Sequence, residues 1–166
     1  MKRKTFAGSP CQIARSLDVL GDWWNPLILR ECTYGVHRFD DFQQMLGIGR
    51  NMLTRRLKQL IEEGLLEKKA YQFSPERYEY RLTDKGFDAI KVLIAMMEFG
   101  EKWHFKQGKE PIRLYNIESG ERVHPAVVDA NTMETIDPRK ITAGPGPGFP
   151  KNKTIRRIRF GESYIE

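Results

Sequence analysis

At Gly64 the hydrophobic period of this chain changes. From Arg50 to Glu63 apolar residues recur at helical spacing, with Leu53, Leu57, Leu60 and Ile61 gathered on one side. From Leu65 the spacing drops to two. Leu65 to Phe73 and Tyr78 to Leu82 alternate as strands do, separated by Ser74-Pro75-Glu76-Arg77, a turn composition. A helix that runs directly into a β-hairpin leaves few architectures open. Upstream, Val36 to Phe39 reads as a short extended piece. Asp40 is placed to cap a third helix over about 41–46, with Phe42, Met45 and Leu46 facing inward, and Gly47-Ile48-Gly49 is a tight turn before the fourth helix begins at Arg50. Two short helices joined by a glycine-containing turn are the parts of a helix-turn-helix, and the hairpin after them is a wing.

The flanking segments fit around that centre. Ser9-Pro10-Cys11-Gln12 predicts a sharp helix start, with Ser9 as the cap, Pro10 in the first turn and Gln12 completing a capping box. This first helix is expected to bury Ile13, Leu17 and Leu20 and to end at Gly21. A second helix from about Trp24 to Tyr34 carries Leu27, Ile28 and Leu29, admits Pro26 in its first turn and stops at Gly35. Thr83 caps a long fifth helix reaching about Lys106. Its apolar positions Phe87, Ile90, Ile94 and Met97 are widened into a broad stripe by Leu93, Met96 and Trp103. That stripe is wider than one domain of this size covers, which predicts a second copy. From Gly108 the character changes to short β-like runs, Ile112 to Ile117 and Ala126 to Val128, and then to Gly144-Pro145-Gly146-Pro147-Gly148, which predicts no regular structure. The expected class is α+β. It comprises a basic arm over 1–8, a winged helix-turn-helix domain with a long C-terminal dimerisation helix over 9–107, and a small, β-rich, metal-free extension over 108–166.

Charge and composition narrow the chemistry. Lys and Arg number 28 against 22 Asp and Glu, a net +6 that favours a polyanionic partner. No apolar run approaches the ~18 residues of a membrane span. Met1-Lys2-Arg3-Lys4 is basic but no apolar core follows it, so it does not read as a secretory signal. Two cysteines, Cys11 and Cys32, cannot build a disulfide framework, and the reducing cytoplasm is the expected compartment. His37, His104 and His124 show no metal-ligand spacing, and the pair Asp40-Asp41 is better explained as a helix start than as catalytic carboxylates. No nucleophile–base arrangement, phosphate loop or dinucleotide fingerprint is present. The chain reads as a non-enzyme without cofactor or metal.

Projecting the fourth helix at about 100° per residue places Asn51, Arg55, Lys58 and Gln59 opposite the leucines, with Arg50 and Thr54 flanking. Arg pairs bidentately with guanine, Asn with adenine, and Thr meets a thymine methyl or a phosphate. The basic residues lie toward the N-terminal half, the end that such helices place in the major groove. Double-stranded DNA is therefore the expected partner. Arg50, Asn51, Thr54, Arg55 and Lys58 are the candidate readers, Arg38 a further candidate contact, and Lys68, Lys69 and Arg77 the backbone contacts on the wing, where Arg81 also lies. Glu67, Glu76 and Glu79 dilute the wing's charge. The competing interpretation is an amphipathic helix with a solvated polar face, in a protein-interaction module that does not bind DNA. A third makes 108–166 a ligand-binding or enzymatic domain, for which no catalytic residue there speaks.

The residues also carry a resemblance. Cys11-Gln12-Ile13-Ala14, Leu20-Gly21-Asp22-Trp23-Trp24, Leu27-Ile28-Leu29-Arg30-Glu31, Arg38-Phe39, Leu53-Thr54-Arg55-Arg56-Leu57-Lys58-Gln59-Leu60, Glu63-Gly64-Leu65-Leu66, Tyr78-Glu79-Tyr80-Arg81-Leu82-Thr83 and Gly86 occur in this order. From Cys11 to Trp103 the chain resembles the HxlR family of winged-helix, MarR-like transcription regulators. The resemblance implies a prokaryotic regulator without a catalytic centre, a homodimer formed through the first and last helices of the domain, and a palindromic operator, often beside the genes it controls. In some such proteins a cysteine matching Cys11 senses oxidants. The extension is similar to one that in longer members resembles a small zinc ribbon. Here no cysteine follows Cys32, so a four-cysteine site is impossible.

Cys11 itself sits where a helix N-terminus and Arg15 favour a thiolate, or else serves as a small residue packed in a dimer interface. Cys32 is expected to be inert core. Trp23 and Trp24 are core or dimer packing, or the wall of a pocket for a small effector of unknown identity. The basic run from Lys151 to Arg159 binds DNA backbone, packs as a strand or stays mobile.

Overall fold

Helix–hairpin order is what the computed structural model shows, and it describes residues 5–144 and 146–150. Helices α1 (Gln12–Leu20), α2 (Trp24–Thr33), α3 (Phe39–Leu46) and α4 (Arg50–Glu62) precede strands β1 (Leu66–Phe73) and β2 (Glu76–Leu82), and α5 (Asp84–His104) follows. Strands β3 (Leu114–Tyr115) and β4 (Arg122–Val123) and a 3-10 turn at Pro138–Lys140 complete the described elements. Contacts divide the chain into two compact units, residues 1–97 and 98–166, with the boundary inside α5.

The core of the first unit is built from the expected leucines. Leu53, Leu57 and Leu60 of α4 are buried with Ile28, Leu29 and Cys32 of α2, Phe42 of α3, Ile48 of the turn, Leu65 and Leu66 leading into β1, and Ala89 of α5. Gly47 closes α3 at φ +62°, the left-handed region where a side chain is strained, and so lets the chain reverse into α4.

Several local expectations are corrected. Ser9 does not cap α1. Cys11 holds the cap position with no side-chain bond to the helix, and the Ser9 hydroxyl instead accepts the Cys11 N–H at 3.2 Å. Ile13 is 71% exposed and Leu17 is exposed as well, because α1 meets the core only through its C-terminal Val19 and Leu20. Helix α3 begins at Phe39 rather than after Asp40, with Arg38 as its cap residue. The cause is a bridge from Arg38 to Glu79 and a 2.8 Å bond from the Tyr80 N–H to the His37 carbonyl, which hold the preceding residues extended against β2. Asp40 and Asp41 thus lie in the first turn, where negative charge suits the helix dipole. Met45 points outward.

The hairpin pairs Leu66 with Leu82, Lys68 with Tyr80, Lys69 with Glu79 and Ala70 with Tyr78. Tyr71 is left over as a bulge, and pairing resumes at Gln72 with Arg77 and Phe73 with Glu76. The expected four-residue turn contracts to Ser74-Pro75, and Glu76 and Arg77 join the strand. Thr83 then does what its position suggested: its hydroxyl accepts the Gly86 N–H at 3.1 Å and donates to the Gly64 carbonyl at 2.6 Å, fastening the start of α5 to the end of α4.

In the second unit two loops repeat one hydrogen-bond pattern. Asn116 Oδ1 accepts the N–H of Glu118, the Gly120 N–H donates to the Asn116 carbonyl, the Glu121 N–H to Ser119 Oγ, and the Asn116 N–H to the Glu121 carbonyl. Asp129 Oδ1 accepts the N–H of Asn131, the Met133 N–H donates to the Asp129 carbonyl, the Glu134 N–H to Thr132 Oγ1, and the Asp129 N–H to the Glu134 carbonyl. Gly120 and Met133 occupy the same left-handed position, at φ +70° and +59°. One loop joins β3 to β4, and the other is closed by the bridge between Val128 and Thr135. Ala126 to Val128 is thus a single bridge rather than a strand. Among the described residues no cluster of His, Cys, Asp and Glu is suited to a metal.

Gly86 gives a test of the first unit's packing. A Cβ there would stand 2.3 Å from the Leu65 carbonyl oxygen. In an open helix Gly→Ala stabilises by up to about 1 kcal/mol. Here Gly86→Ala is expected to reverse that sign and lower stability by roughly 2 kcal/mol or more, since backbone must move. Urea denaturation of the variant beside wild type checks this, and an unchanged or raised midpoint would show that α5 is not held this closely.

Candidate nucleic-acid interface

Helix α4 displays a row of side chains opposite its buried leucines. Arg50, Asn51, Thr54, Arg55 and Lys58 are all exposed. The structure therefore brings the five proposed readers onto one face. Their intramolecular partners are weak or local. Arg50 lies over the Phe39 ring at 4.9 Å and 3.8 Å from Asp40. Thr54 Oγ1 donates to the Arg50 carbonyl at 2.9 Å, Arg55 Nη2 touches Met52 Sδ at 3.1 Å, and Lys58 stands 3.7 Å from Glu62. Exposed ion pairs of this kind are worth about 0–1 kcal/mol, so a phosphate or a base edge can replace them.

Gln59 departs from the expected DNA-facing set. Its Nε2 donates to the Asp18 carbonyl at 3.2 Å and its Oε1 accepts from Arg56 Nη1 at 3.1 Å, so the side chain turns toward the end of α1. Helical projection missed the surrounding group. Arg56 forms a 2.5 Å ion pair with Asp22, and Asp22 Oδ1 accepts the Trp24 N–H at 3.1 Å, which starts α2. The available signal was Asn25, a polar residue in helical register with Ile28, Leu29 and Cys32.

The wing presents two faces. Because paired residues share a face and neighbours alternate, Lys68 lies with Tyr78 and Tyr80, and Lys69 with Glu79 and Arg81. Lys68 Nζ sits 3.5 Å from the centroid of the Tyr78 ring, while Lys69 pairs with Glu67 at 2.5 Å. Arg38 joins the second face: its guanidinium stacks 4.4 Å over the bulged Tyr71 and stands 3.5 Å from Glu79. Arg81 donates to Glu79 at 2.7 Å. That hydrogen bond, with Arg38 alongside, holds the Glu79 carboxyl below the usual carboxylate range. Glu79 therefore stays charged and offsets part of the cationic charge on its face. Arg77 is exposed near the tip.

Of the two thiols, Cys11 is exposed and Cys32 buried. Arg15 Nε donates to the Ser9 carbonyl at 2.6 Å. Burial, with Glu31 adding to it, pushes the Cys32 thiol up to about 12. Trp23 is 86% exposed, whereas Trp24 packs on the core. Beside Trp23 an apolar groove of about 680 Å³ runs between Ile13, Leu17 and Leu20 of α1, Pro26 and Leu27 of α2, and Val92 and Met96 of α5. The basic run Lys151 to Arg159 lies outside the described residues.

Comparison with known proteins places this geometry. The family description "HxlR-like helix-turn-helix" matches residues 19–108. The HTH-type transcriptional regulator Rv3095 of Mycobacterium tuberculosis is 38% identical over 137 residues, covering 82% of this chain and 87% of that one. Among solved structures, PA1607, a candidate transcription factor, superposes with a TM-score of 0.75 at 33% identity, over 84% of this chain and 97% of its own. The redox regulator HypR in its oxidized form gives a TM-score of 0.52 at 30% identity, over 55% of this chain and 96% of its own.

The contrast between the two thiols predicts their chemistry. In the native protein at neutral pH, iodoacetamide should modify Cys11 and leave Cys32 intact, and both should react in denaturant. Because the native Cys32 value lies above the 9.0 of an ordinary thiol, its contribution to stability is complete below pH 9 and is lost as pH rises toward 12. Mass spectrometry of the alkylated peptides decides the matter, and prompt native labelling of Cys32 would show that its site opens.

Proposed function

The chain belongs to the HxlR-like helix-turn-helix family of transcription regulators, and from that premise we propose that it is a homodimer that binds a palindromic operator in double-stranded DNA. The observation that carries this reading is the aligned, exposed row Arg50, Asn51, Thr54, Arg55 and Lys58 on a helix whose other side is fixed in the core. In this reading α4 lies in the major groove and Arg55 and Asn51 meet base edges. Lys68, Lys69 and Arg77 meet phosphates from the wing, and Arg38 does so from the residue before α3, positioning the protein without reading sequence.

The dimer accounts for apolar surface that one copy leaves uncovered. Ile13 and Leu17 of α1 and Val92 and Met96 of α5 line one groove, and Phe99 and Trp103, also exposed, fall in helical register with Val92 and Met96 along α5. A second copy seated there would bury these side chains and place two recognition helices about 34 Å apart, one turn of DNA. A thiol response is a second reading, favoured by the exposure of Cys11 at the start of α1 and by the likeness to the redox regulator HypR. Modification of Cys11 beside the interface would change how the two copies meet.

Four measurements test these assignments. Arg55→Ala is expected to cost about 1–3 kcal/mol on the selected site and to relax preference at one base pair; equal loss on random duplex would reduce Arg55 to a backbone contact. Replacing Lys68, Lys69 and Arg77 by Ala should weaken all duplexes alike and flatten the log K against log salt slope by about 0.9 per lost phosphate contact, whereas an unchanged slope would remove the wing from the interface. Light scattering should report a dimer at micromolar concentration that Met96→Asp converts to monomer. For the thiol reading, diamide should change DNA binding by wild type and not by Cys11→Ser; an equal response in both would leave Cys11 a packing residue.

A further inference from the structure

The last turn of α1 ends in carbonyls that have no partner within the helix, as every helix end does. Two of them are taken by side chains from other elements. The Val19 carbonyl accepts from Asn25 Nδ2 at 2.7 Å, and the Asp18 carbonyl accepts from Gln59 Nε2 at 3.2 Å. Gln59 Oε1 in turn accepts from Asn25 Nδ2 at 3.4 Å and from Arg56 Nη1 at 3.1 Å. Asn25 is 0% exposed and Arg56, paired with Asp22, is little exposed. Gln59 thus touches α1, α2 and its own helix at once, one turn beyond Arg55 and beside Lys58.

Apolar packing alone does not specify where α4 sits. Leu53, Leu57, Leu60 and Ile61 repeat at nearly one-turn intervals, so sliding α4 by a turn would still bury leucine against leucine, and hydrophobic contact is non-directional. Hydrogen bonds are directional. Any such movement would part the Gln59 amide from the Asp18 carbonyl and from Asn25, leaving half-buried polar groups short of a partner, which is costly. The network therefore selects one setting of the helix among several that the leucines would accept.

We propose that Gln59 is a positioning residue for DNA recognition: it fixes the axial setting of α4 against the α1–α2 corner, and so the places where Asn51 and Arg55 meet the bases. The proposal rests on the reading of α4 as the recognition helix. It assigns to Gln59 no contact with DNA, although the side chain sits on the helix that reads it.

The test uses the full chain. A duplex site is first selected by the wild-type protein from a random-sequence library, and the ratio of its Kd to that of a scrambled duplex is measured for each variant by fluorescence anisotropy. Thermal denaturation fixes a temperature at which every variant is fully folded. Gln59→Met, which keeps volume but loses the amide, is expected to reduce the discrimination ratio about tenfold, the equivalent of one base contact, with less than about twofold change on scrambled duplex. Gln59→Glu is a second variant that keeps an acceptor for Arg56 and Asn25 but cannot donate to the Asp18 carbonyl, and it is expected to lose discrimination as well. Ile28→Val, a core truncation outside the network that lowers Tm, should leave the ratio unchanged. A ratio unchanged in both Gln59 variants, with wild type discriminating, overturns this inference alone. So does an equal loss in Ile28→Val, because any destabilisation would then suffice. If the wild-type chain selects no sequence, the reading of α4 falls and this inference falls with it.

Discussion

Leu53, Leu57 and Leu60 determine which way α4 faces, and much of the first unit follows from that. The three lie on one side of the helix and are buried against α2 and α3. Each buried leucine is worth roughly 1.5–3 kcal/mol relative to exposure, while each ion pair on the opposite face is worth about 0–1 kcal/mol. The core therefore orients the helix, and the polar row stands outward because no other side is left for it. A surface suited to DNA is in this sense a by-product of packing: the residues that would read bases contribute little to the fold and are free to be chosen for what they touch.

The wing follows a similar division of labour with a different geometry. Strand alternation puts Lys68 and Lys69, adjacent in sequence, on opposite faces, and the bulge at Tyr71 resets the alternation before the tip. Tyr71 is also the ring on which Arg38 stacks, so the bulge couples the edge before α3 to the hairpin. Glu79 lies between Arg38 and Arg81. A count of basic residues on this hairpin overstates its positive field, because part of that charge is already spoken for.

Much of the fold was legible in the sequence because its signals are local. Gly35, Gly47 and Gly64 end three helices, the period switches beyond Gly64, and Thr83 starts α5 by the bond its position implied. The family resemblance read from Cys11 to Trp103 agrees with the match over residues 19–108. What failed was anything that depended on a neighbour. Ile13, Leu17 and Met45 lie on apolar stripes, but periodicity says which face is apolar and not what covers it. Asp40 was a good cap by composition, yet β2 holds His37 and Arg38 extended and the helix starts at Phe39. Gln59 falls among polar residues in projection, and only the carbonyls at the end of α1 turn it inward. The exposed polar row of α4 was legible because it is the complement of a leucine face; the group beside it was not, since Asn25, Arg56 and Asp22 come from three separate segments.

The paired loops of the second unit bear on the order in which the chain acquires structure. Each closes within six residues, from Asn116 to Glu121 and from Asp129 to Glu134, using groups that belong to the loop itself. Contacts this short close on the order of 10–100 ns, far faster than pairings between distant segments. The two turns can therefore form as soon as their own residues are synthesised, before β3 and β4 have settled and without waiting for the leucine core. Their repetition also means that the same backbone solution tolerates two different sequences, Asn-Ile-Glu-Ser-Gly-Glu and Asp-Ala-Asn-Thr-Met-Glu, with only the oxygen-bearing first and fourth positions and the glutamate at the end in common. What these two turns require of their sequence is thus concentrated in a few side-chain oxygens and in a fifth residue that accepts the left-handed region.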